Sequence, residues 1–478
     1  MAVRRQGLSD AQKPIRKIGV IGMGYVGIPS AALFADVPQY MRVIGFQRES
    51  QTSGYKIAML NRGENPLKGE EPGLAELLQK VVTSGKFSCT SDFSIISDLD
   101  AVTLTIQTPF LDPKDLIPDF SALSEGIRMA GTYIRKGALV VLESTVTPGT
   151  TAGMARELLE EASGMTAGED FFLAHAPERV MVGRLIQNIR EHDRIVGGID
   201  PASTIRAAEL YRPLLTRGRI IPMTSTAAEV TKTAENSFRD LQIAAVNELA
   251  LYCEAMGINV YEVREGIASL KEEGVTRAIL WPGAGVGGHC LTKDTYHLER
   301  GVKELGFHHL DYPEGKESLF TLARSINDFM PRHMATLTEA GLKRAGKTVA
   351  GSQIAILGWA FISDSDDARN TPSETYRDLM IKAGAMVKVH DPFVGQFPGV
   401  EIIPDLDTAL SGADAIALFT GHSLYQNIDP HKIRKVSGRS MPVLIDGRNM
   451  ADPDIFIKNG WIYKGIGRGD KNSHPLNV

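Results

Sequence analysis

The chain has 478 residues, 43% of them hydrophobic, and a formal net charge of −5. Its length predicts two or three domains at about 150 residues each, and its mild, interspersed charge gives no reason to expect nucleic acid or a membrane surface as partner. No apolar run is long enough to cross a bilayer, and three cysteines without a pairing pattern (Cys89, Cys253, Cys290) suit a reducing cytoplasm.

The opening segment, residues 1–14, is polar, lacks an apolar core and reads as a short tail rather than a signal. IRKIGVIGMGYVGIPSAALFAD follows as a β-branched strand, a glycine turn and an apolar helix. Gly22, Gly24 and Gly27 form G-x-G-x-x-G, with Tyr25 and Val26 inside it, where amides and the helix dipole suit a pyrophosphate. The plainer reading is a tight strand-to-helix turn that binds nothing. MRVIGF is the next strand, but the ribose-binding acid expected after it is replaced by Gln47, followed by Arg48 and Glu49. An amide can hydrogen-bond ribose hydroxyls and an arginine can accommodate a 2′-phosphate, so NAD and NADP both stay open.

AVTLTIQTP (101–109) and GALVVLESTV (137–146) read as buried parallel strands. Ligands of such sheets sit at the carboxyl ends of strands, which places Thr108, Pro109 and Thr145 near the cofactor. Ordinary strand and turn propensity accounts for the threonines equally well. FFLAHAPERV (171–180) adds a strand with Glu178 and Arg179 at its end. From Thr226 to Met256 a single helical pattern runs without proline or glycine, and Glu229, Lys232, Asn236 and Arg239 share one face. Such a stripe is usually solvated. The remaining apolar surface, with Ile243, Val246 and Leu249, suits a helix with more than one neighbour, a natural dimer spine.

PGAGVGGHCLTKD (282–294) is the most informative segment. Gly283, Gly285, Gly287 and Gly288 let backbone approach a ligand closely, and Cys290 behind them is placed to be reached. Spacing alone leaves a nucleophile and a small packed cysteine both open. Cys253 reads as core, and Cys89 as a residue of a polar loop. A second α/β unit begins at SQIAILGWAF (352–361) and continues through AMVKVHDPFV, ADAIALFTGH and MPVLIDGRN, without a full G-x-G-x-x-G. Its polar strand ends include Asp366, Asp367, Arg369, His422 and Arg448, and convergent arginines suggest phosphate recognition. Surface charge pairing is the alternative for each taken singly.

GMGYVG, LNRGENPLKGEEPGL, ESTVTPGTT, APERV, the K-x-x-x-N of Lys232 and Asn236, GAGVGGHCLTKD, DDARNTPSE and DGRN occur in one order. From about Ile15 to Gly465 the chain thereby resembles the nucleotide-sugar 6-dehydrogenases, the group containing UDP-glucose and UDP-N-acetylhexosamine dehydrogenases. The resemblance implies an α/β fold of two doubly wound Rossmann-like domains joined by a long central helix and a helical dimerisation region. Residues 15–215 would bind NAD, 216–330 would carry the cysteine loop, and 331–478 would bind the UDP-sugar.

It also implies four-electron oxidation of a sugar C6 hydroxyl, with Cys290 as nucleophile, Lys232 and Asn236 steadying the oxyanion, and Asp294, Glu178 and Thr145 organising a water. Lys293 would join the cofactor site. Arg179, Arg239, Gly285, Gly287, Gly288, His289, Arg369 and Arg448 would meet the substrate. No metal is required. GGHC and the arginine of APERV resemble the N-acetylhexosamine branch more than the UDP-glucose or GDP-mannose branches. Three positions depart from the pattern: Gln47, Val182 in place of a proline, and Ile362 in place of a lysine. A catalytically silent nucleotide-sugar-binding protein would not need the thiol. A dehydrogenase of the hydroxyacid or 6-phosphogluconate type would release one reduced cofactor per substrate rather than two.

Overall fold

The computed structural model describes residues 13–50, 53–67, 71–112, 117–180, 183–269, 279–304, 318–426 and 428–472. Most of the expected tail, and Val182, lie outside them. The chain divides into two compact units, residues 1–235 with 293–310, and 236–292 with 311–478.

The first unit is built on β1 (Lys17–Ile21), β2 (Arg42–Phe46), β3 (Phe87–Thr90), β4 (Ala101–Leu104), the small antiparallel pair β5 (Phe110–Asp112) and β6 (Ile117–Pro118), β7 (Leu139–Leu142), β8 (Phe172–His175), β9 (Arg194–Gly198) and β10 (Ile220–Thr224). Eight of these form one sheet in the order β10-β9-β8-β7-β4-β1-β2-β3. The stretch from β3 to β8 is parallel throughout, while β9 runs antiparallel to β8. β4 and β7 are buried along their whole length, because helices cover both faces of a parallel sheet. Alternation still decides the face: Leu139 and Val141 join one core, Val140 and Leu142 the other. The strand order reverses at β1 and β4, the switch point at which open parallel sheets take their ligands.

Two expectations are corrected here. The strand expected over 101–109 ends at Leu104, since the Thr105 hydroxyl turns back to donate to the Ile21 and Gly22 carbonyls at 3.1 and 2.7 Å. Cys89 lies on β3, not in a loop. FSCT alternates, so Phe87 and Cys89 face inward, and burial pushes the Cys89 thiol up to about 12.

The second unit carries β11 (Gln353–Leu357), β12 (Met386–His390), β13 (Ile402–Ile403), β14 (Ala415–Leu418), β15 (Val443–Asp446) and β16 (Ile462–Gly465), all parallel, in the order β13-β12-β11-β14-β15-β16. This is the same doubly wound order as in the first sheet. Between the sheets in sequence runs one uninterrupted helix, Ser225–Met256, of 32 residues. A second long helix, Leu319–Arg344, is capped by Ser318, which accepts from the Thr321 amide, and it continues through the buried Pro331. No helix among the described residues is long and apolar enough to cross a membrane.

Candidate active site

In the first unit the glycine turn divides its labour. Gly22 sits at φ 103°, and a Cβ at Gly27 would fall 1.9 Å from the Gly22 carbonyl oxygen, so these two serve the turn and its packing. A Cβ on Gly24 would meet nothing within 4 Å. The backbone there borders open space, as a bound pyrophosphate requires. Tyr25 and Val26 are half-buried beside it.

Gln47 reaches this turn, its side-chain oxygen accepting from the Met23 amide at 3.3 Å and its amide donating to Ser53 Oγ at 3.0 Å. Arg48 is engaged by Glu125, and Glu49 accepts from Ser91 Oγ at 3.0 Å. Sequence reasoning missed Lys56, whose Nζ donates to the Met23 carbonyl at 2.9 Å and whose pKa is lowered by burial.

The carboxyl ends of β4 and β7 are stitched together. Thr108 is buried and its hydroxyl donates to the Thr145 carbonyl at 2.6 Å, whereas Pro109 is exposed. His297, also missed from sequence, joins the same ends: Nδ1 lies 3.2 Å from Thr147 Oγ1 and Nε2 lies 3.4 Å from the Thr108 carbonyl oxygen, with Phe120 stacked on the ring. It stands on the helix Asp294–Glu304, which Asp294 opens. Asp294 is fully buried and has Lys293 Nζ 3.0 Å from its Oδ1.

Beyond β8, Glu178 is buried in an ion pair with Arg194, which also approaches Glu143 at 3.4 Å and lies over the Tyr211 ring at 4.2 Å. Arg179 is held by Glu235 at 2.7 Å. The charged stripe of the central helix is solvated only in part. Arg239 is exposed and Asn236 half-buried, but Glu229 and Lys232 are buried. Glu229 accepts from the Gly149 and Thr151 amides and the Thr151 hydroxyl at 2.6, 2.7 and 2.6 Å, and so docks the TPGTT loop on the helix. Its carboxyl is pushed up to about 7 by burial, which outweighs the three donors. His175, fully buried at the end of β8, is pushed down to about 3, first by burial and then by the positive charges of Arg194 and Lys232.

In the second unit the cysteine loop packs against the segment after β11. Gly285 and Gly288 take φ of 126° and 93°. A Cβ on Gly287 or Gly288 would strike Phe361 at 2.6 or 2.8 Å, so side chains are excluded on steric grounds. The Gly288 amide donates to the Arg369 carbonyl at 2.8 Å, and the Asn370 side chain donates to the Gly288 carbonyl at 3.1 Å. His289 and Cys290 are half-buried, whereas Cys89 and Cys253 are buried. The Arg369 guanidinium is shared with Asp367 at 2.5 Å, and Ile362, in place of the lysine, is half-buried. Arg448 lies over Gly283, 3.2 Å from where a Cβ would stand.

His422 does not face a ligand crevice. It is fully buried and meets Asp391 at 3.0 Å. Asp391, at the end of β12, also accepts from the Trp359 and Ala360 amides at 2.6 and 2.8 Å, and from Phe393 and Val394 at 2.8 and 2.9 Å. Burial alone would raise its pKa, but the hydrogen bond and charge of His422 and the amide donors hold it near 2.

Comparison with known proteins matches three successive parts of the UDP-glucose/GDP-mannose dehydrogenase family: the NAD binding domain over residues 16–215, the central domain over 226–328 and the UDP binding domain over 355–453. The chain belongs to that family. It is an NAD-dependent nucleotide-sugar dehydrogenase, an oxidoreductase. A UDP-N-acetyl-D-mannosamine dehydrogenase of Pyrococcus horikoshii is 36% identical over 95% of this chain and 100% of its own length. An NDP-N-acetyl-D-galactosaminuronic acid dehydrogenase of Ralstonia nicotianae is 31% identical over 91% and 96%. Among solved structures, an NDP-N-acetyl-D-galactosaminuronic acid dehydrogenase from Methanosarcina mazei Go1 is 68% identical, with a TM-score of 0.87 and 98% of each chain covered. The dehydrogenase's open Gly24 backbone and the polar reach of Gln47 fit the dinucleotide that the first domain binds.

Proposed function

We propose that this dehydrogenase oxidises the C6 hydroxyl of a UDP-N-acetylhexosamine to the uronic acid through a covalent intermediate on Cys290. The observation that carries the reading is the contrast among cysteines: Cys290 alone of the three is not buried, and it ends a glycine loop. The N-acetyl sugars in the relatives' names support the substrate class. Bound NAD supplies the hydride acceptor for both oxidations. Loss of the hydroxyl proton and the first hydride leaves an aldehyde. Cys290 thiolate adds to its carbonyl carbon and forms a thiohemiacetal, whose C6 hydride leaves next to give a thioester. Water then attacks the thioester, releasing the acid and restoring the thiol.

Lys232 and Asn236, one helical turn apart, are donors for the oxyanion of both tetrahedral species. Asp294 handles the proton of the attacking water, assisted by Thr145 and by Glu178, the latter held in place by Arg194. Lys293 belongs with the cofactor-binding group, together with Gly22, Gly24, Tyr25, Val26, Gly27, Gln47, Arg48, Thr108 and Pro109. Arg179, Arg239, Gly285, Gly287, Gly288, His289, Arg369 and Arg448 form the substrate-binding group. Residues 15–215, 216–330 and 331–478 are the cofactor, central and nucleotide-sugar domains, in line with the three family matches.

The enzyme works in the reducing cytoplasm, where its thiol stays free, as a homodimer or larger homo-oligomer formed through the central helix. A panel of UDP-sugars followed by absorbance and product mass tests the substrate. Two NADH per N-acetylhexosamine and a uronic acid product are expected, and Cys290→Ser should lose acid formation while still binding cofactor and sugar. Undiminished double oxidation by that variant would sink the covalent route.

A further inference from the structure

We infer that four buried polar side chains, Asp240, Asn247, Arg324 and Asn327, are positioning residues that hold the cysteine loop in register for addition to the carbonyl; the inference rests on the proposed thiol chemistry. All four are at most 2% exposed. They come from two helices, Asp240 and Asn247 from the part of the central helix that belongs to the second unit, Arg324 and Asn327 from Leu319–Arg344. Asn247 Oδ1 accepts from the Gly283 amide at 2.9 Å, and its Nδ2 donates to Asn327 Oδ1 at 2.8 Å. Asn327 Nδ2 donates in turn to the Asp240 carbonyl and to Asp240 Oδ1 at 2.9 and 2.7 Å. Arg324 donates to Asp240 Oδ1 at 2.7 Å and reaches the Leu291 carbonyl at 3.5 Å.

The chain of contacts therefore begins at Gly283 and ends at Leu291, on either side of Cys290. A segment with glycine at 283, 285, 287 and 288 has much backbone freedom to lose. Addition of a thiolate demands a near-attack approach, and a misplacement of about 1 Å can cost on the order of 100-fold in rate. Two anchors on rigid helices supply the missing constraint.

The composition of the cluster argues against simple helix glue. Asp240 Oδ2 is buried with no hydrogen-bond partner among the described residues, and burial lifts the carboxyl to about 6 against the pull of Arg324. Apolar residues of similar volume would join two helices at no such cost. What they could not do is grip a loop amide and a loop carbonyl.

The test removes the Gly283 anchor by Asn247→Ala and follows three quantities in the full-length enzyme: kcat for acid formation, KM for NAD, and the iodoacetamide alkylation rate of Cys290 located by peptide mapping. We expect kcat to fall by roughly 10- to 100-fold, the alkylation rate to change several-fold, and KM for NAD to stay within about twofold. Should that variant fail to fold, Arg324→Lys keeps the buried positive charge but cannot serve Asp240 and Leu291 together, and the same three readings are expected to move the same way. A variant that melts earlier but keeps wild-type kcat and alkylation per folded enzyme overturns the inference. Acid formation persisting in Cys290→Ser would instead overturn the thiol reading beneath it.

Discussion

At position 47 a neutral amide stands where a charge would normally sort NAD from NADP. Gln47 touches the glycine turn through Met23, and Arg48, which could have attracted a 2′-phosphate, is already engaged by Glu125. NAD is the cofactor, but nothing at position 47 repels the phosphate of NADP. Gln47→Asp should raise the ratio of kcat/KM for NAD over NADP, because carboxylate and 2′-phosphate repel strongly in a partly desolvated site. The ratio measured in both proteins decides the point, and no change would mean that residue 47 does not face the ribose. Gly22 and Gly27 were legible in advance because each has a steric job that only glycine performs. His297 and Lys56 were not, since their partners, Thr108, Thr147 and Met23, are joined to them only by the fold.

The central helix shows what a helical pattern does and does not encode. Its continuous run was legible because no glycine or proline interrupts 32 residues. Its charged stripe was misleading, because periodicity says which residues share a face and not what covers that face. Glu229 is covered by the TPGTT loop, 78 residues upstream at Thr151. Likewise Asp240 meets Arg324 84 residues away, and Asn247 meets Asn327 at 80. β9 and β10 escaped notice for a related reason: RIVGG and IIPMT are short, broken by glycine or proline, and β9 takes its direction from pairing with β8.

Glu229 also gives the helix a pH signature. Its folded pKa, about 7, lies above its ordinary 4.5, so folding favours the protonated form. Its contribution to stability is complete below pH 4.5 and is lost as pH rises through 7. Glu229→Gln should remove this dependence, so wild type should lose melting temperature relative to the variant across that window. A difference in melting temperature that stays constant with pH would show that Glu229 does not titrate there.

At the scale of the molecule, the central helix carries three large apolar side chains that stay exposed among the described residues. Phe238, Tyr252 and Met256 are 58%, 57% and 63% exposed. They lie near one line along the helix, at separations close to whole turns of about 3.6 residues. A second copy of the chain is the occupant that the proposed homo-oligomer requires. Sedimentation of the wild type at micromolar concentration should show a dimer or larger species, and Phe238→Asp should shift it toward monomer. A wild-type enzyme that sediments as a monomer would end that proposal.

The two sheets share one winding order, yet Asp391 makes them unequal. Its carboxylate already occupies the Trp359 and Ala360 amides in the turn after β11, as a tethered stand-in for the anion that the turn after β1 leaves to a ligand. The amides of the turn after β11 are thus already satisfied where those of the turn after β1 border open space. Equilibrium dialysis is therefore expected to count one NAD per polypeptide, and a second equivalent bound with similar affinity would show that the turn after β11 still takes a dinucleotide.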